Sequence, residues 1–207
     1  MKIAALLSFL ACCLLAAADS TTTALPQREA WRNTTAELFL NNGVAWGLWG
    51  PVEFCEAGSF AHAFEVKYEK YSSTDDTAVN GVKLYCGTTS DHDTGYVTST
   101  VGQYGNWQGM RVCDKGFLTG MRANVLESQG LLHDDVAVEN VEMRCAASNE
   151  TIIGVQATEK FPLGKWSVWS ECPIGSMVCG LKLRYENPVL TADDAGTTDI
   201  LMYCCDY

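Results

Sequence analysis

The chain reads as an all-β protein built from one unit written three times, and three observations carry that reading. Trp49, Trp107 and Trp166 lie 58 and 59 residues apart, and each is followed six positions later by a cysteine, Cys55, Cys113 and Cys172. Two residues before each tryptophan stands a glycine, and an aspartate pair follows in each unit: Asp75-Asp76, Asp134-Asp135 and Asp193-Asp194. Ten residues past each second aspartate is another cysteine, Cys86, Cys145 and Cys204. Finally, apolar residues alternate with polar ones, as in Val82-Leu84-Cys86, Val141-Met143-Cys145 and Ile200-Met202-Cys204. Period two means half-buried strands, and coincident offsets at one period mean a repeat.

Residues 1–18 predict a secretory signal peptide. A single early lysine, Lys2, precedes an apolar run of 16 residues that is short for a bilayer span and ends Ala16-Ala17-Ala18. Cleavage between Ala18 and Asp19 is expected, giving a secreted, extracellular product with no membrane span. Residues 19–34 form a polar, Thr-rich tail. The rest, 35–207, is expected to be a single domain of three repeats, 35–93, 94–150 and 151–207. Strand-like segments at 35–40, 96–101 and 152–158 precede each Gly-x-Trp, and about four short strands fill each unit. Asn33 and Asn149 each begin an Asn-x-Thr acceptor for an N-glycan.

Cleavage removes Cys12 and Cys13 and leaves eight cysteines, an even number that reads as four disulfides in an oxidising compartment. If equivalent units fold alike, the first cysteine of each pairs with the second: Cys55–Cys86, Cys113–Cys145 and Cys172–Cys204. Cys179 and Cys205 remain and pair with each other. Cys204 and Cys205 could exchange partners; the inward phase of Ile200-Met202-Cys204 favours Cys204 for Cys172.

Composition excludes several partners. The net charge is −11, with 25 acidic against 14 basic residues, so neither a nucleic-acid backbone nor an anionic membrane surface suits it. There is no phosphate-cradling glycine loop and no G-x-S-x-G elbow, and no cofactor is expected. His62, His92 and His133 lack ligand spacing and read as surface or turn residues, so no metal is expected. Calcium at the aspartate pairs would need a fuller oxygen cage than the sequence offers. Lys67-Tyr68-Glu69-Lys70 reads as a solvated strand face.

Four stretches resemble the vitelline membrane outer layer protein 1 family: Trp46-Gly-Leu-Trp49-Gly, Asp75-Asp-Thr-Ala-Val-Asn-Gly-Val-Lys-Leu-Tyr-Cys86, Gln129-Gly through Asp134-Asp135 to Cys145, and the terminal Cys204-Cys205. The resemblance covers nearly the whole chain after residue 34. It implies a β-prism, three Greek-key antiparallel sheets around a pseudo-threefold axis. It also implies association with egg envelopes or secretions, and a link to the transfer of N-acetylglucosamine oligosaccharides. Fold kinship alone does not transfer function. The threonine after the first aspartate pair is not repeated, and the Trp46 position becomes Tyr104 and then Leu163.

The aspartates are the candidate catalytic groups, with Asp76, Asp135 and Asp194 first among them, because glycoside chemistry needs two carboxylates flanking the scissile bond. Against this, catalysis needs two unlike carboxylates, whereas aspartate in such loops nucleates turns through its own backbone. Threefold recurrence favours the turn. Trp49, Trp107 and Trp166 share a position in every unit, which predicts core packing about the axis. Trp46 and Trp169, like Trp31, are not repeated and are the candidates for stacking on a sugar. Trp166-Ser-Val-Trp169-Ser-Glu-Cys172 imitates a thrombospondin type 1 motif, but the cysteine spacing that follows does not fit and the repeat explains the residues. C-mannosylation at Trp46 or Trp166 is left open. The expectation is a secreted structural or interaction protein of an extracellular coat or fluid, binding coat or matrix glycoproteins and their glycans. The alternative is an enzyme transferring or hydrolysing N-acetylglucosamine oligosaccharides.

Overall fold

The computed structural model describes residues 32–70, 77–127, 138–147, 150–156, 163–187 and 196–207. Among them are fifteen strands and no helix: β1 (Ala36–Phe39), β2 (Leu48–Trp49), β3 (Glu53–Phe54), β4 (Ser59–Tyr68), β5 (Val79–Thr88), β6 (Asp93–Val97), β7 (Asn106–Trp107), β8 (Arg111–Val112), β9 (Leu118–Val125), β10 (Val138–Cys145), β11 (Thr151–Ile153), β12 (Lys165–Trp166), β13 (Ser170–Glu171), β14 (Ser176–Tyr185) and β15 (Thr197–Asp206). They form three antiparallel five-stranded sheets, a β-prism. Each sheet has one long hairpin, an edge strand on the hairpin's second strand, and two two-residue strands end to end along its first. In the β4–β5 sheet these are β6, β7 and β8; in the β9–β10 sheet they are β11, β12 and β13.

The third sheet shows how the chain closes. The β14–β15 hairpin takes its edge strand β1 and its short strands β2 and β3 from the opposite end of the sequence. Sheets and sequence units are therefore out of phase, and residues 35–93 contribute to two sheets. Five strands fall to each sheet rather than the four expected per unit, because two-residue strands are too short to leave a period-two signal.

The inward faces meet in one core. Phe64, Leu84, Met121, Met143, Leu181 and Met202, two from each hairpin, are fully buried in one cluster, and each such side chain contributes about 1.5–3 kcal/mol by leaving water. Tyr68 is also buried, so the run 67–70 is not a uniformly solvated face: Tyr68 points inward and the Lys67 ammonium donates to the carbonyl of Gly102 at 2.6 Å.

One device explains the cysteine spacing. Near the start of each hairpin's first strand one residue lies outside the ladder register: His62, Thr119 and Cys179. This β-bulge turns its carbonyl toward the segment after the short strands. There it accepts the N–H of the first cysteine of a pair: Cys113 from His62 at 3.0 Å, Cys172 from Thr119 at 2.7 Å, Cys55 from Cys179 at 2.8 Å. Each cysteine so held crosses to the next sheet, forming Cys113–Cys145, Cys172–Cys204 and Cys55–Cys86. These disulfides staple the three seams in a ring. Polar ties run beside them: Thr98 N–H to Glu53 Oε2, Arg111 Nε–H to the Ile153 carbonyl, and Phe39 N–H to Ser170 Oγ. Cys179–Cys205 differs, joining neighbouring strands within one sheet. The equivalent positions in the other two hairpins, His62 and Gly87, and Thr119 and Ala146, hold no cysteine.

Candidate functional site

The candidate carboxylates Asp76, Asp135 and Asp194 lie outside the described residues, as do Asn149, His133, Trp31 and the Ala18–Asp19 bond. In the chain they fall between the two strands of each long hairpin. The stems of those hairpins are described, and each holds a second bulge, at Asn80, Glu139 and Thr198. All three polar residues are buried, and each grips the segment leading into a Gly-x-Trp. The Thr198 hydroxyl donates to the Trp46 carbonyl at 2.8 Å. The Asn80 carbonyl accepts from Gly102 N–H at 2.7 Å, and its side-chain oxygen accepts from the Tyr185 hydroxyl at 3.0 Å. Glu139 accepts from the backbone of Leu163 and Gly164 at 3.1 and 2.8 Å. Burial pushes the Glu139 carboxyl up from its ordinary range, and the two amide donors pull the other way. Burial likewise raises Asp199, opposed by the Ile200 amide and Arg184.

The glycine of Gly-x-Trp is required by this grip. Gly47 and Gly105 have φ of +81° and +71°, and a Cβ there would overlap the backbone of Tyr185 and Tyr68 respectively; at Gly164 it would overlap that of Val125. Only glycine lets the short strand approach the end of the hairpin.

The three repeated tryptophans are on the outer faces, not in the core about the axis as recurrence suggested. Trp49 is 36% exposed, and Trp107 and Trp166 are half-buried. The reason is register. Trp107 stands opposite Lys67 and Trp49 opposite Arg184, and residues directly opposite across a ladder share a face. Each indole carries a cation. Lys83 Nζ lies 4.0 Å from the centroid of Trp107, and Arg122 4.8 Å from that of Trp166. Lys182 and Arg184 lie 4.9 and 4.7 Å from that of Trp49.

On two of the faces a carboxylate pairs with the cation, and the strands that supply the two are exchanged, while on the third Lys182 stands opposite Leu201. Glu65 and Lys83 are cross-strand partners and pair at 3.4 Å. At the equivalent positions the partners are exchanged: Arg122 pairs with Glu142 at 2.6 Å. Both arrangements leave the cation on the tryptophan. Glu65 also accepts from the Tyr85 hydroxyl and from Gly109 N–H, at 2.8 and 2.7 Å. Burial first, then the bond and charge of Glu65, push the Tyr85 hydroxyl up to about 12. The β9–β10 face extends furthest. Trp169 sits between Arg122 and Arg144, at 5.0 and 4.2 Å, and Arg144 pairs with Glu171. The order Trp166, Arg122, Trp169, Arg144 is a ladder of rings and guanidinium planes, each step worth about 0.5–1 kcal/mol.

Of the two tryptophans expected to touch a sugar, Trp169 is thus half-buried between two guanidiniums, and Trp46 is half-buried with its backbone held by Thr198. Asn33 is exposed. His62 is a half-buried strand residue at a bulge rather than a turn residue. With Asp91, His92, Asp93, Asp114 and Lys115 it lines a cleft of about 480 Å³ beside Cys113. No set of three metal-ligating side chains converges among the described residues. The cations on the tryptophans were missed by sequence reasoning. The signal was present: Lys83 and Glu142 each stand three residues before a repeated cysteine, and each faces an opposite charge.

A family model described as vitelline membrane outer layer protein I matches residues 36–207. A mouse protein named vitelline membrane outer layer protein 1 homolog is 34% identical over 170 residues, covering 80% of this chain and 81% of its own. A human protein of the same name is 31% identical over 184 residues, covering 86% and 87%.

Proposed function

The chain belongs to the vitelline membrane outer layer protein I family, and from that premise we propose that it is a secreted structural component of an extracellular coat. In this reading the prism is a building block. The three stapled seams keep it rigid in an oxidising space. The three outer faces, each with a tryptophan under a cation, are the surfaces that meet coat glycoproteins and their glycans. The observation that supports this best is that the cation–tryptophan pair is present on all three faces while its surroundings change: Glu65 on the first strand of one hairpin, Glu142 on the second strand of another, and Leu201 opposite Lys182 on the third. A binding platform needs the ring and the charge at the surface. It does not need the asymmetric pair of carboxylates that glycosyl transfer requires.

The test is incubation of the purified protein with isolated extracellular coat and, separately, with defined N-acetylglucosamine oligomers. Retention in the washed coat with no change in oligomer length is expected. Oligomers lengthened or shortened, with loss of that activity when Asp76, Asp135 and Asp194 are replaced by Ala in a folded protein, would replace this reading with an enzyme.

A further inference from the structure

We propose that Trp166 carries a C-linked mannose. Trp166-Ser167-Val168-Trp169 is a Trp-x-x-Trp acceptor pattern, read on the nascent chain in the secretory pathway. A hexose on the indole is tolerated only where the ring reaches the surface. The core placement that recurrence suggested would forbid it; the structure puts Trp166 half-buried on the outer face of the β9–β10 sheet. Val168, between the two tryptophans, is 64% exposed.

The ladder supplies the second argument. Arg122 sits between the rings of Trp166 and Trp169 and is held by Glu142 at 2.6 Å. A hexose on the edge of Trp166 would add hydroxyls beside a fixed guanidinium and carboxylate, both able to bond them. Trp46 begins the same pattern with Trp49 and is also half-buried, so its occupancy is read in the same digest. Trp107 has Tyr104 and Met110 at its third neighbours and lacks the pattern.

The donor is a polyprenyl-phosphate mannose. The bond from C1 of mannose to the phosphate oxygen breaks, and the phosphate leaves with the electron pair. Indole C2 bonds to C1, and the C2 proton passes to a base of the transferase.

The inference rests on the secretory reading, and one experiment separates the two. The full chain is expressed in animal cells, and protein from medium and cells is digested and sequenced by tandem mass spectrometry. A gain of one hexose on Trp166, with the cross-ring loss given by C-glycosides and not O-glycosides, is expected, with Trp107 unmodified. Trp169→Ala is expected to lower occupancy at Trp166 at least tenfold. The intracellular pool is read as well, because transfer precedes folding and a misfolded variant still reports. Protein in the medium with Trp166 bare, while a co-expressed Trp-x-x-Trp reporter is modified, overturns the proposal and leaves secretion standing. Hexose on Trp107 as well overturns the selection of Trp166 by its Trp-x-x-Trp pattern. Protein absent from the medium and bare in the cells overturns both.

Discussion

Gly105→Ala isolates the contact that makes Gly-x-Trp a repeat. The φ of +71° costs a side chain about 1 kcal/mol. The added Cβ also overlaps the backbone of Tyr68 and Glu69, which belongs to a hairpin stem and cannot yield. The segment must lift instead. Lifting undoes the pairing of Lys67 with Trp107 and Tyr68 with Asn106, at about 1 kcal/mol net per hydrogen bond. It also withdraws Trp107 from Lys83, about 0.5–1 kcal/mol more. The total is about 3–4 kcal/mol, a fall in Tm of about 10 °C for a protein of this size. Gly109→Ala is the control. Its φ of +88° carries the same strain, but nothing lies within 4 Å of a Cβ there, and its N–H still reaches Glu65. About 1 kcal/mol is expected. Urea unfolding of both variants with disulfides intact reads the difference. Equal destabilisation would refute the reasoning, since it would mean that backbone strain alone selects these glycines.

Three further outcomes follow from the same geometry. Replacing Cys179 and Cys205 by Ala should leave a folded protein with its other disulfides intact, because the equivalent sites at His62 and Thr119 hold no cysteine; the loss should be about 3 kcal/mol, and peptide mapping with calorimetry checks both. Glu139 and Asp199 have raised folded-state values, so the folded protein holds more protons than the unfolded one above the ordinary carboxylate range. Their contribution is fully present below the unfolded values and is lost as pH rises through the folded ones; Glu139→Gln should flatten that slope in unfolding measured across mildly acidic pH. A double-mutant cycle on Arg122 and Glu142, each to Ala, should give a coupling of about 1 kcal/mol, and a coupling near zero would remove the pair from the ladder that holds Trp166.

The seams were legible because their chemistry is periodic. Trp, Gly and Cys recur at fixed offsets, and equivalence alone suggests Cys55 with Cys86 and its two counterparts. The four bonds of the structure join those cysteines, with Cys204 on Cys172 and Cys205 on Cys179. The pairing of β1 with β15 was not legible, because it joins residues at opposite ends of the chain and nothing in a local pattern marks it. Recurrence also misplaced the tryptophans. A repeated position says that the environment repeats, not that it is buried, and only the register against Lys67, Asn124 and Arg184 turns the indoles outward. The bulges at His62, Thr119 and Cys179 have no common residue type, so no sequence signal announced them.

The central claim, that the outer faces join the protein to a coat, is tested most directly by coat retention of a triple variant. Trp49, Trp107 and Trp166 are replaced together by Leu, which keeps apolar contact under the cations but removes the ring face. The circular dichroism and disulfide map of the variant are checked against the parent. The account predicts that the parent is retained on washed coat and the folded variant is released at least tenfold more readily. Equal retention of the two would contradict it.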